Sequence, residues 1–113
     1  MTTEAIRAFS EHIATRFRPE RIILFGSHAR GESNDMSDVD LLVIMPVAGR
    51  TMDKAMEILG ETRPTFAVDL LVRTPEEMES RVAMGDFFLR EILRQGKVLY
   101  DAAHCGVPFW RTK

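Results

Sequence analysis

A glycine–serine pair that ends one apolar run, and two aspartates that soon open another, constrain this chain more than any other feature. The first run is Ile22-Ile23-Leu24-Phe25, which reads as a buried strand. Gly26 and Ser27 end it. A glycine there lets a phosphate approach the main chain where a side chain would block it. The residues that follow can begin a helical turn, whose N–H groups point at an anion in front. A gap of ten residues separates Ser27 from Asp38-Val39-Asp40, which leads into Leu41 to Met45. Residues two apart on a strand share a face, so both carboxylates aim one way while Val39 and Leu41 face the other. Neighbouring carboxylates repel unless a cation sits between them. The spacing therefore points to a divalent metal and a phosphate.

Each element alone has a plain structural explanation. Aspartates alternating with apolar residues can mark the wet face of an edge strand, and Gly-Ser can be a simple turn. Yet aspartate is depleted in strands, and here two of them run straight into an apolar stretch. The turn ahead of them is the kind that holds phosphate. It is the combination that carries the functional reading.

The series Phe25-Gly26-Ser27-His28-Ala29-Arg30-Gly31, followed by Ser37-Asp38-Val39-Asp40-Leu41-Leu42-Val43, resembles the signature of the polymerase-beta-like nucleotidyltransferase superfamily. In so short a chain it is similar to the minimal nucleotidyltransferase (MNT) branch in particular. The likeness runs from about Arg21 to Asp101. Position 28, commonly arginine in such sequences, is His28 here. The resemblance implies the antitoxin of a pair whose toxin is a small helical HEPN-domain protein.

With 113 residues the chain is expected to form one domain over 1–113, with 101–113 as a C-terminal tail. A net charge of −2 argues against a broad nucleic-acid-binding face. The single cysteine, Cys105, allows no internal disulfide and suits a reducing cytoplasm, the expected location. No signal peptide is visible after Met1, and no apolar run approaches membrane-spanning length.

Along the chain, Ile6, Phe9, Ile13 and Phe17 form one stripe and predict a packing helix over 3–17, capped by Thr2 or Thr3, with His12 on its wet face. A strand follows over Arg21–Phe25, then a polar turn at Glu32-Ser33-Asn34-Asp35, then the strand Asp38–Met45. Thr51 is placed to cap a second long helix. In it Met52, Ala55, Met56 and Leu59 are expected to form the buried face, the methionines as core filler. Pro64 lies beyond its end. Phe66–Val72 reads as a third strand carrying one charge, Asp69. A lone charge in a buried strand is costly unless paired or metal-bound, so Asp69 reads as a third member of the acidic group. Thr74-Pro75-Glu76-Glu77 is a strong helix start. Another helix begins at Gly85-Asp86, uses Phe87, Phe88, Ile92 and Leu93 as its apolar residues, and closes at Gly96. Lys97–Tyr100 predicts a short edge strand. In the tail, Val107, Phe109 and Trp110 suit packing or a partner, while His104 and Cys105 lack further ligand-type neighbours. Alternating strands and helices imply an α/β class, a small sheet flanked by helices. The resemblance sharpens this to the mixed-sheet nucleotidyltransferase core.

Charge then outlines a mechanism. Asp38, Asp40 and Asp69 are the expected catalytic and metal-holding residues. Asp38 and Asp40 would hold Mg²⁺, with two ions stabilising the attacking oxygen and the departing pyrophosphate. Asp69 would share the metal and accept the proton of the incoming hydroxyl. Gly26, Ser27 and Arg30 form the nucleotide-binding set, Arg30 lying one helical turn from Ser27. Nothing obvious in the sequence is left to bind an adenine base or an acceptor. The resemblance implies ATP as donor, AMP as the transferred group, and a tyrosine of a HEPN-type ribonuclease toxin as acceptor, within a hetero-oligomer. Two other readings stay open: an antitoxin that inhibits by binding alone, and a transferase for a small molecule or an RNA end.

Overall fold

A computed structural model of the chain describes residues 3–31 and 38–102. The expectations for Thr2, for the turn at Glu32–Asp35 and for the tail with His104, Cys105, Val107, Phe109 and Trp110 fall outside them. The elements in order are α1 (Thr3–Phe17), β1 (Arg21–Phe25), α2 (Ser27–Arg30), β2 (Val39–Ile44), α3 (Thr51–Thr62), β3 (Val68–Arg73), α4 (Pro75–Ala83), α5 (Phe87–Gln95) and β4 (Lys97–Asp101). The strands form a four-stranded mixed sheet in the order β3-β2-β1-β4. β1 runs antiparallel to both β2 and β4, and β2 runs parallel to β3. Among the described residues no helix is long and apolar enough to cross a membrane.

The central strands carry apolar side chains on both faces because both faces are covered. Val39, Leu41 and Val43 of β2 point with Ile22 and Leu24 of β1 into a core shared with α1 and α3. Leu42 and Ile44 point the other way, with Ile23, into a second core closed by Met78 of α4 and by Leu89 and Ile92 of α5. An uninterrupted apolar run is what a strand buried on both faces requires. The predicted stripe of α1 is the observed one, with Ile6, Phe9 and Ile13 buried and Phe17 packed at the margin.

α3 departs from expectation. Its buried residues are Ala55 and Ile58, with Leu59 packed against them, while Met52 is 74% and Met56 65% exposed. The helix is rotated so that the β-branched Ile58, rather than the flexible methionines, meets the sheet. Thr51 is its first residue rather than its cap; the cap position is Arg50, which makes no side-chain capping bond.

α4 starts as its sequence demands. The Thr74 hydroxyl accepts from the Glu77 N–H at 3.1 Å, and the Glu77 carboxylate accepts from the Thr74 N–H at 3.0 Å. Asp86 caps α5 by accepting from the Leu89 N–H at 3.0 Å. Of the apolar residues expected on α5, Ile92 is buried, but Phe87, Phe88 and Leu93 are exposed and Leu89 takes the inner position. Gly96 closes α5 without a left-handed turn, at φ −73°. Its role is room. A Cβ there would lie 2.6 Å from Ile23 Cγ2 and 3.1 Å from the Leu24 carbonyl oxygen, so only glycine lets the end of α5 meet β1.

Candidate active site

The sheet's connectivity gathers the acidic residues at one end. Parallel pairing puts Asp40 of β2 directly beside Asp69 of β3, and the antiparallel β1 brings its last residue, Phe25, beside Asp40 from the other side. Side chains in register on neighbouring strands share a face. For Asp40 and Asp69 this is the face covered by α5, since Leu42 and Leu71, two residues on, pack in the second core. Asp40 is half-buried, at the second position of a central strand. Asp69 is exposed, because β3 is an edge strand and Asp69 lies near its start. The desolvation that singled out Asp69 in the sequence therefore does not act on it; its place beside Asp40 does. Asp38 lies just ahead of β2 and is exposed.

Gly26 is where backbone and carboxylate meet. Its φ of 77° and ψ of −156° belong to a region essentially reserved for glycine. A Cβ at this position would fall 3.1 Å from Asp40 Cγ and nearer still to Oδ2. The glycine both turns the chain out of β1 and leaves space for the Asp40 carboxylate against the turn. The Ala29 and Arg30 N–H groups donate to the Gly26 carbonyl at 3.1 and 3.2 Å, closing the single turn of α2. Ser27 is the first residue of that turn.

These groups surround a cavity of about 470 Å³. Gly26, Arg30, Asp40 and Asp69 line one part of it, and Phe88, Glu91 and Gln95 of α5 line another. The Asp40 carboxyl is pushed above the usual carboxylate range, first by burial and then by the charges of Asp69 and Asp38; His28 and Arg30 pull it the other way. A partly buried carboxylate crowded by two others is electrostatically short of a cation. Among the described residues no three His, Cys, Asp or Glu side chains form a ready metal cage. Asp40 and Asp69, in register on neighbouring strands, are the kind of carboxylate pair that shares a hard cation with substrate phosphates. The donors are oxygens throughout, which again suits a hard ion.

Of the six site residues expected from the sequence, four line this cavity: Gly26, Arg30, Asp40 and Asp69. Ser27 adjoins it through the turn, and Asp38 acts on Asp40 by its charge. The contribution of α5 was missed. Phe88, Glu91, Ile92 and Gln95 follow the i, i+3, i+4, i+7 spacing of one helix face, and that pattern alone cannot separate a cavity wall from a core face.

Residues 6–99 match the model of the nucleotidyltransferase domain family. Two proteins of Methanocaldococcus jannaschii, both named as candidate protein adenylyltransferases, are similar to the chain. One is 29% identical over 101 residues, covering 86% of this chain and 96% of the relative. The other is 34% identical over 71 residues, covering 61% and 72%. A candidate nucleotidyltransferase from Sulfolobus solfataricus has the same fold, with a TM-score of 0.64 at 20% identity over 92% of this chain and 84% of the other. A toxin–antitoxin structure with AMP-PNP superposes with a TM-score of 0.53 at 19% identity, over 89% and 76%. With the family's model matching most of the chain, and a fold that sets paired carboxylates against a glycine turn, the chain belongs to the nucleotidyltransferase domain family and is a nucleotidyltransferase.

Proposed function

We infer that the chain moves AMP from ATP onto a hydroxyl of a protein partner, and that Asp40 and Asp69, side by side across β2 and β3 beside the Gly26 turn, are the centre of that chemistry. The observation that carries the reading is this juxtaposition at the mouth of one cavity. The two relatives named as candidate protein adenylyltransferases support the choice of a protein acceptor. Asp38, Asp40 and Asp69 would hold Mg²⁺, two ions in the full reaction. Bound there, the metal offsets the charge of the triphosphate and of the departing pyrophosphate.

The chain's own residues have separate tasks. The backbone turn at Gly26-Ser27 and the Arg30 guanidinium hold the phosphates beyond the reacting one. Asp69 accepts the proton of the acceptor hydroxyl as its oxygen bonds to the α-phosphorus. The bond from that phosphorus to the bridging oxygen breaks, and pyrophosphate leaves with the electron pair. Asp69 suits this role because it is exposed on an edge strand, where a macromolecular acceptor can approach. The half-buried Asp40 suits a fixed ligand position.

The acceptor in this reading is a tyrosine of a HEPN-type ribonuclease toxin, and the chain is its antitoxin, associated with it in a hetero-oligomer. The superposition on a toxin–antitoxin structure with AMP-PNP supports the pairing at the level of fold. An added nucleotide places a bulky anion where RNA phosphate must dock, so charge repulsion and bulk silence the partner. Titration of the chain against excess partner, with ATP, Mg²⁺ and RNA cleavage as readout, tests this. Catalysis predicts full inhibition at substoichiometric amounts, lost with Asp40→Asn or EDTA, and a mass increase on the partner. Inhibition that follows stoichiometry and ignores both would leave a binding-only antitoxin.

A further inference from the structure

We propose that the cavity-facing stripe of α5 is a nucleoside subsite, with Phe88 as the stacking platform for the base and Gln95 as the hydrogen-bonding partner of its edge. This rests on the reading of the cavity as a nucleoside triphosphate site. At about 470 Å³ the cavity is within the range of small-ligand pockets, roughly 300–1,000 Å³. The part that holds Asp40 and Asp69 is taken by phosphate, its cation and the acceptor hydroxyl. The nucleoside must then extend along the remaining wall, which is α5.

The residues on that wall have the chemistry a base needs. Phe88 is 54% exposed although it stands beside a charged site. The second core does not require it, since the neighbouring Leu89 and Ile92 are the buried residues of α5. Phe88 meets Phe25 edge to face, with ring centroids 5.8 Å apart and an interplanar angle of 84°. That contact orients the ring without covering it. Gln95, two turns further on the same face, is neutral and carries both donor and acceptor atoms. A cation there would compete for Asp40 and Asp69, and a further carboxylate would repel the triphosphate. Glu91, between them, already pairs with Arg94.

The stripe is also held in place before any ligand arrives. The Arg90 guanidinium donates to the Val82 carbonyl at 2.8 and 3.1 Å and ties α5 to α4. Asp86 caps its start, and the missing side chain of Gly96 seats its end on β1. A fixed platform reduces the ordering cost of binding.

Calorimetric titration with ATP and with inorganic tripolyphosphate, each with Mg²⁺, separates the two parts of the cavity. Phe88→Ala should weaken ATP by about 5- to 150-fold, the usual span for loss of one base stack, and leave tripolyphosphate affinity unchanged. Phe88→Trp should restore ATP binding, and melting curves of both variants verify that the fold survives. Gln95→Ala should narrow the spread of affinities among ATP, GTP, CTP and UTP; an unchanged spread overturns its assignment. Phe88→Ala that weakens both ligands alike, or neither, overturns the subsite. Wild-type protein that binds ATP no better than tripolyphosphate overturns the subsite alone, whereas wild-type protein that binds neither overturns the triphosphate reading beneath it.

Discussion

Replacing Gly26 by alanine tests whether the turn and the Asp40 carboxylate were shaped for each other. Two costs arise. A non-glycine residue in this φ/ψ region costs about 1–3 kcal/mol. The new Cβ, 3.1 Å from Asp40 Cγ and closer to Oδ2, forces the carboxylate aside, and overpacking of this kind costs about 1–3 kcal/mol more. The sum is about 2–6 kcal/mol. At roughly 4 °C per kcal/mol for a domain of this size, the Tm should fall by about 8–24 °C. A double-mutant cycle separates the two costs. In an Asp40→Ala background the Oδ2 and Cγ atoms are gone, and the remaining Cβ lies at an ordinary 3.4 Å. Only the backbone cost should then survive. Gly26→Ala should be milder there, with a coupling energy of about 1–3 kcal/mol from urea unfolding of the four proteins. Strict additivity, or a Gly26→Ala protein as stable as wild type, would refute the account of Gly26 as a space reserved for Asp40.

Other outcomes follow from the same packing and charges. Because the folded-state pKa of Asp40 is raised, its carboxyl favours the fold below the unfolded value of about 3.9 and opposes it as pH rises through the folded value. In metal-free buffer Asp40→Asn should therefore raise the Tm at neutral pH, with a gain that fades toward acid; a gain that grows on acidification contradicts the assignment. Asp69→Asn should abolish nucleotide transfer while sparing much of the affinity for ATP with Mg²⁺, a split that calorimetry beside a turnover assay would detect. Gly96→Ala should cost about 1–3 kcal/mol in denaturant melts by pushing α5 off Ile23 and Leu24. Met52→Gln with Met56→Gln should change stability by less than about 0.5 kcal/mol per site, whereas Ile58→Ala should cost about 2–5 kcal/mol; equal costs would mean that α3 presents its methionines to the sheet.

Much of this protein is determined locally and can be read along the chain. Strands β1 and β2 hold the apolar runs Ile22–Phe25 and Leu41–Ile44, the start of α4 is set by a capping box, and the extent of α1 follows from one stripe and Pro19. The glycine–serine turn and its aspartates are legible because their types run against strand propensity and the needs of a core. Rotation of a helix about its axis is not local. Met52, Met56 and Ile58 are all apolar, and only the fit of α3 on the sheet left the methionines in water. The same holds for α5, where Leu89 rather than Phe88 was drawn inside and the aromatic ring was left at the cavity. The sequence by itself determined which residues could do the chemistry: Gly26, Ser27 and Arg30 at one turn, Asp38 and Asp40 at the head of one strand, and Asp69 alone on another. Only the tertiary structure decided that β2 and β3 run parallel, and hence that Asp40 and Asp69 start their strands at the same end of the sheet. Strand direction depends on contacts between residues far apart in the chain, so although its lone charge marked Asp69 for the acidic group, no local pattern gave its register directly beside Asp40.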